Sequence, residues 1–447
     1  MHRFSLALLV VACAAGCSPE QSPSSQTSAN APNILLISLD ALRADHLSCY
    51  GYDRHTTPFL DELAARGTRF SQAFVNTHGT PPSHTTMLSS LYQESHRVGF
   101  GAGTPEGRND TIPAEVELVQ EILQTAGWRT VAVTGGGYMA ATFGFDRGFD
   151  EFRGGSAPIA EGTRKLLNLL RQAPAKPTFA LLHTYEVHSP YEPPPEYEKL
   201  WNIYESSLPA TNEVLKPLQK TAGEQLTEAD FNRLEALYDA GIRYTDDVLR
   251  SFFAELESIG FLDHALVIIT ADHGEEFGDH GGLLHGMSLY EELLHVPLIL
   301  VGSETAAARV DPRLVSMVDL APTILKYAGL AVPGHMEGRN LLSDDWSLPW
   351  HEQRIFAQYA DFRYAVRTPR WKLIQYPRGN RTHLFDLKRD PSERHNLRHE
   401  RPELAAALEA ELDAWRAGRP AIIDQRGAQD ELPQEKIDEL RALGYVD

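Results

Sequence analysis

The sequence contains little cysteine: three residues, Cys13, Cys17 and Cys49, in a chain of 447. Cys13 and Cys17 lie in an N-terminal segment that we predict to be a signal, which leaves Cys49 without a partner for an intramolecular disulfide. A zinc site built from cysteine ligands is therefore excluded, and the fold must depend on its hydrophobic core. Hydrophobic residues make up 42% of the chain, which is typical of a globular protein.

The sequence also lacks an excess of basic residues, since its formal net charge is -20 and its pI is about 5.3. Binding to nucleic-acid phosphates needs clustered Lys and Arg, so we expect no nucleic-acid partner. A small anionic substrate is still compatible with this charge if a bound cation reverses the local field.

The N-terminal segment predicts export from the cytoplasm. A basic start precedes the apolar run Phe4–Ala12, which is too short to span a bilayer. The next segment, Ala14–Cys17, is similar to a bacterial lipobox, although it begins with alanine where a larger aliphatic residue is more usual, and plain cleavage elsewhere is the alternative. We predict a signal peptide at 1–17, a flexible tether at 18–32, and a location in the bacterial cell envelope. The protein would be anchored to the membrane surface through lipidated Cys17, or else be periplasmic or extracellular.

Apolar runs alternate with helix-like stretches over residues 33–333, which we expect to form the catalytic domain. This alternation predicts an α/β fold with a doubly wound, mostly parallel sheet, helices on both faces, and ligands at the carboxyl edge of the strands. The polar stretch Tyr197–Glu228 is interpreted as an irregular insertion near the site. The predicted strands are Ile34–Leu39, Thr130–Val133, Phe179–Leu182, Leu266–Ile269 and Val296–Val301, and the predicted helices include Pro58–Gly67, Ala114–Ala126 and Leu234–Ile259.

The pattern changes after Pro333 to short strands separated by turn residues. We predict an α+β subdomain over 334–447, with a small antiparallel sheet packed against the main domain and closed by the helix Pro402–Ala417. Its predicted strands are Arg354–Ala360, Arg363–Arg367, Trp371–Tyr376 and His383–Leu387.

A metal site is predicted where two apolar strands end. Asp272 and His273 follow one apolar run, and Asp40 follows another. A carboxylate beside an imidazole suits a divalent cation, because the oxygen supplies charge and the nitrogen supplies geometry. An Asp-His-Gly turn alone is more often an ordinary loop, but two separate strands that end at carboxylates favour the metal interpretation.

Thr80 precedes Pro81, Pro82 and a helical run. Proline loses no hydrogen bond in a first helical turn, so Thr80 is predicted at or just before a helix N-terminus, where free N–H groups stabilise an anion. The alternative is that Thr80 only caps the helix.

Histidines in two loops are candidates for contact with an anion or for protonation of a leaving group. His183 and His188 are predicted to lie beyond a buried strand, in a proline-rich loop of the kind that contacts ligands in this architecture. We select His188 as the first candidate and His285, which follows a pair of glycines, as the second. A lone histidine in such a loop is more often structural.

Together these motifs resemble the sulfatase family of the alkaline phosphatase superfamily, from about Pro32 to the C-terminus. The resemblance implies the family's α/β fold with a C-terminal subdomain. The matching segments, in family order, are Asn33–Asp45, Cys49–Tyr52, Thr80–Leu88, Val187–Pro194, Asp272–Glu275, Leu289–Glu292, Val296–Leu298, Arg370–Ile374, Leu384–Leu387 and Asp390–Pro391.

The resemblance also implies roles for six residues. Asp40, Asp272 and His273 correspond to metal ligands. Thr80 falls on the nucleophile, which itself contacts the metal. His188 and His285 fall near positions that hold the anion or serve the leaving group.

The sequence departs from the family pattern at the nucleophile and around the metal. Typical members have Cys or Ser that is oxidised to formylglycine, followed by Pro-Ser-Arg, whereas Thr80 cannot become an aldehyde by that route and His84 replaces the arginine. Ala41 stands at the usual second aspartate and His273 at the usual late asparagine, which favours manganese or zinc over calcium. A threonyl ester must be cleaved by water at sulfur or phosphorus, and phosphothreonine intermediates occur in the wider superfamily.

We therefore expect a metal-dependent hydrolase of sulfate or phosphate esters that acts through a metal-bound Thr80 on a small molecule, a glycan or a lipid headgroup. The absence of a Cys or Ser that could become formylglycine favours phosphate esters over sulfate esters as substrates. One alternative is a phosphoryl-group transferase at the cell surface, similar to phosphoethanolamine transferases. A second is a non-catalytic binding protein on a degenerate sulfatase scaffold, motivated by Ala41 and the lost arginine.

Overall fold

The computed structural model describes most of the chain, namely residues 32–99, 110–172, 176–201, 205–286, 288–344, 352–419 and 434–443. The predicted signal peptide, Cys17 and nearly all of the predicted tether lie outside these ranges, so anchoring to a membrane stays a prediction. Within the described ranges, no helix is long and apolar enough to cross a membrane.

The described strands and helices alternate through most of the chain. The strands are β1 (Asn33–Leu39), β2 (Thr68–Phe74), β3 (Arg129–Val133), β4 (Glu151–Arg153), β5 (Thr178–Thr184), β6 (Ala265–Thr270), β7 (Glu276–Phe277), β8 (Leu283–Leu284), β9 (Leu298–Val301), β10 (Arg309–Ser316), β11 (Ile355–Tyr359), β12 (Arg363–Arg367), β13 (Trp371–Tyr376) and β14 (Arg381–Asp386). The helices are α1 (Pro58–Arg66), α2 (Thr80–Ser89), α3 (Gln93–His96), α4 (Val119–Thr125), α5 (Ile159–Arg171), α6 (Pro195–Glu198), α7 (Asn212–Leu218), α8 (Ala222–Gln225), α9 (Glu228–Ser258), α10 (Glu291–Leu294), α11 (Leu320–Tyr327), α12 (Pro402–Ala417) and α13 (Gln434–Ala442).

The central sheet has eight strands in the order β10-β2-β9-β6-β1-β5-β3-β4. Only β9 runs opposite to its neighbours in this sheet, which confirms the predicted mostly parallel sheet. The strand β1 lies at the centre, where Ser38 pairs with His183 of β5 on one side and with Thr270 of β6 on the other. The segments that follow β1, β5 and β6 therefore start at the same edge of the sheet.

Capping determines where two predicted helices begin. The helix predicted at Leu234–Ile259 starts earlier, as α9, because Thr227 Oγ1 accepts from the backbone N–H of Asp230 while Asp230 accepts from the N–H of Thr227. The helix predicted at Ala114–Ala126 starts later, as α4, because Glu121 accepts the N–H of Leu118 at 2.9 Å. Both helices exist where the sequence predicts them, but their first residues differ.

The C-terminal part forms the predicted small antiparallel sheet, in the order β11-β12-β13-β14, with α12 packed against it at the predicted residues. The stretch Tyr197–Glu228 was predicted to be irregular, and this is wrong for its described part, which contains α7 and α8. The strands β2, β4 and β10 were not predicted, because their sequences mix polar with apolar residues.

A buried ion cluster joins the C-terminal sheet to the central domain. Lys372 of β13 is fully buried, and its Nζ lies 3.0 Å from Glu291 Oε1 and 3.0 Å from Glu393 Oε1. Glu291 also pairs with Arg367 at 3.1 Å. Each of these charges lies in direct contact with a charge of opposite sign.

Replacement of Lys372 by alanine is expected to lower the free energy of unfolding by about 3–5 kcal/mol, because it leaves carboxylates buried without their cation. Chemical denaturation measures this loss. Lys388→Ala removes an exposed lysine from the turn after β14 and should change the free energy by no more than about 0.5 kcal/mol. Equal losses in the two variants would contradict a stabilising role for the buried cluster.

Candidate active site

Two aspartates meet at the carboxyl edge of the central sheet. Asp40 directly follows β1, and Asp272 follows β6 by two residues, so the pairing of these strands places the side chains together. Both are fully buried. The backbone N–H of Ala41, which adopts a left-handed conformation with φ 61°, donates to Asp272 Oδ1 at 3.3 Å. Ala41, which stands at the family's second aspartate position, thus orients the Asp272 carboxylate through its backbone N–H.

Asp40, Asp272 and His273 bring their ligand atoms within 4.8 Å of one another. His273 Nε2 lies 3.5 Å from Asp40 Oδ1 and 3.6 Å from Asp272 Oδ2. These three buried atoms have no hydrogen-bond partner among the described residues. Uncompensated polar atoms that converge in this way are costly unless a cation binds between them.

The tautomer of His273 also fits a metal ligand. Its Nδ1 lies 2.8 Å from the carbonyl oxygen of Gly274, and because a carbonyl can only accept, Nδ1 carries the hydrogen. The lone pair of the neutral ring is then on Nε2, the atom that faces the two aspartates. A metal-ligating histidine ordinarily donates its other N–H to a carbonyl or carboxylate in this way.

The electrostatics of the aspartates favour a bound cation as well. Burial, together with the nearby Asp272 carboxylate, raises the pKa of Asp40 well above its ordinary value. A divalent cation would remove this like-charge repulsion. Two carboxylate oxygens and one imidazole nitrogen form a donor set that suits manganese or zinc. The residues present therefore fit the predicted divalent metal.

Thr80 is the first residue of α2, as predicted, and lies beside this group. Its Oγ1 donates to Asp40 Oδ2 at 3.3 Å. Gly79 occupies the N-cap position, and no side chain caps this helix, so the alternative that Thr80 only caps α2 does not hold. The structure places the hydroxyl between the carboxylates and an open cavity.

The start of α2 offers fewer donors than predicted. Pro81 and Pro82 have no N–H, and the N–H of Ser83 donates to the carbonyl of Gly79 at 2.9 Å. The predicted anion site made of free N–H groups is therefore wrong at these three positions. Stabilisation of an anion here depends on side chains and on a cation.

A cavity of about 270 Å³ opens above Thr80. The insertion predicted to lie near the site contributes four of its residues, including two lysines, which supply positive charge in a strongly acidic protein. The lining residues are His78, Gly79, Thr80, His188, Ser189, Asn212, Lys216, Gln219, Lys220, Leu284, His285, Gly286, Tyr359 and Leu443.

The two selected histidines lie side by side in this cavity. The ring centroids of His188 and His285 are 4.9 Å apart, and His285 is 4.2 Å from His273. His188 Nδ1 lies 2.6 Å from the carbonyl oxygen of Ser189, and His285 Nδ1 lies 2.9 Å from the buried carboxylate of Glu275. Burial lowers the pKa of His188 to about 3, so this ring is neutral at neutral pH. A row of imidazoles thus runs from the metal-ligand group into the cavity.

Sequence reasoning missed the role of His183 and the surroundings of His84. His183 was predicted beyond its strand, but it belongs to β5, and its Nε2 lies 3.1 Å from Asp40 Oδ2. His84 Nε2 is 2.9 Å from Ser38 Oγ, and its Nδ1 is 2.9 Å from the carbonyl of Thr80. Burial lowers the pKa of both rings, so they support Asp40 and Thr80 as neutral hydrogen-bonding groups. His84, which stands at the family's arginine position, therefore supports Thr80 through a hydrogen bond with its backbone carbonyl.

His78 is a further residue of the cavity that the sequence motifs did not single out. It is fully buried, and its ring packs against Tyr359 with the centroids 4.3 Å apart and the ring planes tilted by 34°. Neither ring nitrogen has a hydrogen-bond partner among the described residues. The only sequence signal for His78 is its place two residues before Thr80. A buried ring with unmet hydrogen bonds on a cavity wall is suited to contact a polar ligand.

Comparisons with known proteins identify the family to which the chain belongs. The model of the family "Sulfatase" matches residues 32–330, more than half of the chain, and that of "N-sulphoglucosamine sulphohydrolase, C-terminal" matches residues 278–417. The delta 4,5-hexuronate-2-O-sulfatase of Bacteroides thetaiotaomicron is 25% identical over 82% of this chain and 84% of its own length.

Solved structures share the fold. One is a protein in complex with its substrate D-glucosamine-2-N,6-O-disulfate, with a TM-score of 0.73 and 20% identity over 87% of this chain and 98% of that chain. Another is the phosphonate monoester hydrolase of Agrobacterium radiobacter, with a TM-score of 0.71 and 20% identity over 87% of this chain and 96% of that chain. The chain therefore belongs to the sulfatase family and is a hydrolase of sulfuric or phosphoric ester bonds.

Proposed function

We propose that the protein hydrolyses sulfate esters of glycans, with Thr80 as the nucleophile and a divalent cation held by Asp40, Asp272 and His273. The observation that carries this proposal is the position of the Thr80 hydroxyl, 3.3 Å from Asp40 and on the wall of the cavity. Family membership supports the sulfate ester. The relative that acts on hexuronate 2-O-sulfate supports the glycan.

In the first step Thr80 Oγ1 attacks sulfur and its proton passes to Asp40 Oδ2, while the bond from sulfur to the sugar oxygen breaks and a threonyl sulfate forms. Asp40 Oδ2 accepts the hydroxyl hydrogen bond and so orients Oγ1 towards the ester. The cation, when bound, supplies positive charge that stabilises the negative charge developing around the reacting oxygens. In the second step water attacks sulfur, the bond from sulfur to Thr80 Oγ1 breaks, and the proton returns from Asp40 to Oγ1 as sulfate leaves. This hydrolysis is needed because threonine, unlike a formylglycine hydrate, cannot collapse to an aldehyde.

The two cavity histidines have different roles in this scheme. His188 donates its Nδ1–H to the carbonyl of Ser189, so Nε2 of the neutral ring can accept a hydrogen bond from the attacking water and orient it. In His285 the carboxylate of Glu275 holds Nδ1, as the aspartate does in a catalytic triad, and stabilises the imidazolium. His285 is thus suited to protonate the departing sugar oxygen.

The test is turnover by protein that lacks residues 1–17, supplied in turn with Mn²⁺, Zn²⁺ or Ca²⁺. The substrates are an aryl sulfate, a sulfated disaccharide, a phosphate monoester, a phosphodiester and a phosphonate monoester. We expect the sulfated disaccharide to give the highest kcat/KM, by at least about tenfold, and Mn²⁺ or Zn²⁺ to exceed Ca²⁺. A preference for a phosphorus ester would overturn the sulfate assignment. Transfer to an added sugar or lipid in place of water would indicate a transferase, and tight binding without turnover would indicate a binding protein.

A further inference from the structure

The helix α13 lies outside the residues matched by the family models, which end at 417, yet it reaches the candidate active site. Leu440 of α13 is fully buried, and Leu443, just after the helix, lines the cavity above Thr80. This part of the chain is therefore a wall of the site that the family pattern does not supply.

A glycine turn after β3 is shaped to receive α13. Gly136 and Gly137 have φ values of +75° and +54°, and the N–H of Gly137 donates to Glu439 Oε1 at 2.6 Å. A Cβ on Gly136 would lie 2.1 Å from Glu439 Oε1, and one on Gly137 would lie 2.5 Å from Leu443 Cδ1. Side chains at these two positions would force the ends of the Glu439 and Leu443 side chains to move.

The other side of α13 faces the insertion. The side-chain amide of Asn212, at the start of α7, donates to the carbonyl of Ala442 at 3.1 Å. The helix thus bridges the turn after β3 and the insertion, and it borders the cavity on one side.

A groove of about 1200 Å³ lies between α7 and α13. It shares Asn212, Lys216, Gln219 and Lys220 with the catalytic cavity, so a ligand bound at Thr80 can continue into it. The described residues that line the groove are Pro190, Glu192, Thr211, Asn212, Glu213, Lys216, Pro217, Gln219, Lys220, Thr221, Asp438, Arg441 and Ala442.

The chemistry of the groove suits a hydroxyl-rich, anionic ligand. Apart from two prolines and one alanine, the described residues that line it carry polar or charged side chains, whose aliphatic stems and polar ends both face the groove. Lys216, Lys220 and Arg441 supply cations for sulfate or carboxylate groups, beside three carboxylates of the same lining, and Arg441 pairs with Asp438 at 2.8 Å. The remaining amides, hydroxyls and carboxylates can bond to sugar hydroxyls.

We propose that α7 and α13 form an extension site, which binds the sugars of a sulfated oligosaccharide beyond the unit whose ester is cleaved. The extension site rests on the proposed function, since its ligand continues from the ester at Thr80. It makes α13 a determinant of substrate length.

The test compares affinities in full-length Thr80→Ala protein with Mn²⁺, where binding is separated from turnover. The probes are a heparin-derived tetrasaccharide and glucosamine 6-sulfate. Glu439→Ala removes the acceptor of the Gly137 N–H, Arg441→Glu reverses a charge in the groove, and Glu435→Ala is the matched control on the exposed side of the same helix. We expect the ratio of tetrasaccharide to monosaccharide affinity to fall at least about tenfold in the first two variants, the loss that follows from one charge-assisted contact, and less than twofold in the control.

Parallel losses for both probes in Glu439→Ala and Arg441→Glu would overturn the extension site, because they would indicate a general disturbance of the fold. An unchanged ratio, an equal effect of Glu435→Ala, or no binding of either probe would overturn it as well. Failure of the proposed function is a separate result: wild-type protein would turn over no sulfate ester, whereas the affinity ratio would still respond to these variants.

Discussion

Replacement of Thr80 by alanine is expected to lower kcat for the preferred ester by at least about 10⁴-fold, the order of loss seen when a hydrolase loses its nucleophile. The hydroxyl lies at the start of α2, 3.3 Å from Asp40 and on the wall of the cavity, and no other described hydroxyl bonds to Asp40. Steady-state kinetics with each metal measure the loss. Thr80→Ser keeps the oxygen and should restore most of the activity.

Thr85→Ala is the matched control for this variant. Thr85 is buried in the same helix, but its Oγ1 donates to the carbonyl of Pro81 at 2.7 Å and has no contact with the aspartates. We expect this variant to fold and to keep activity within about tenfold of the wild type.

The covalent intermediate gives a second test of the nucleophile. In the wild-type enzyme, rapid quench followed by mass spectrometry should find a sulfo group on the peptide that contains Thr80. A Thr80→Ala enzyme that keeps more than a tenth of wild-type activity would instead indicate direct attack by water.

The positions of Asp40 and Asp272 could be predicted because the pattern that indicates them lies in the few residues just before each aspartate. A buried strand that ends at a carboxylate is visible in the sequence, and parallel strands bring such ends to one edge. The position of Thr80 was predictable for a similar reason, since Pro81 and Pro82 mark a first helical turn. The same prolines also lack N–H groups, and the predicted anion site at that helix start did not take this into account.

Other features depend on contacts between distant parts of the chain. His183 reaches Asp40 because β5 pairs with β1 in a particular register, which the apolar pattern of either strand does not specify. The antiparallel direction of β9 is equally absent from its sequence of four apolar residues. The position of α13 depends on the turn at Gly136 and Gly137. Gly137 and its partner Glu439 are 302 residues apart in the sequence. The sequence thus predicts that Asp40, Asp272 and His273 lie together and that His188 and His285 lie near them, but it does not predict the contributions of His78, His183 and α13.

Loss of a proposed metal ligand is expected to have the second largest effect, after loss of Thr80. Asp272→Asn should lower kcat/KM by at least about 10³-fold, because a bound cation contributes several kcal/mol to the stabilisation of charge in the transition state. The same variant should bind Mn²⁺ or Zn²⁺ far more weakly in calorimetric titration, since Asp272 Oδ2 is one of three converging ligand atoms. Asp246→Asn is the control: Asp246 is also buried, but it accepts from the backbone N–H groups of Phe59 and Leu60, both at 2.8 Å. It should alter stability without altering metal affinity.

Thermal stability gives this prediction a readout that is independent of turnover. Without metal, burial and then the neighbouring Asp272 carboxylate raise the pKa of Asp40, whereas nearby histidines lower the pKa of Asp272. Asp40 thus bears the cost of the pair near neutral pH, so Asp272→Asn should be more stable than the wild type in the presence of a chelator. With metal at about 100 times its Kd the wild type gains about 2.7 kcal/mol, and the order of stability should reverse. A metal-binding site built from two buried carboxylates requires this reversal, because the repulsion that destabilises the metal-free protein is what the cation relieves. Melting temperatures that keep the same order with and without metal would show that these residues form a structural cluster instead.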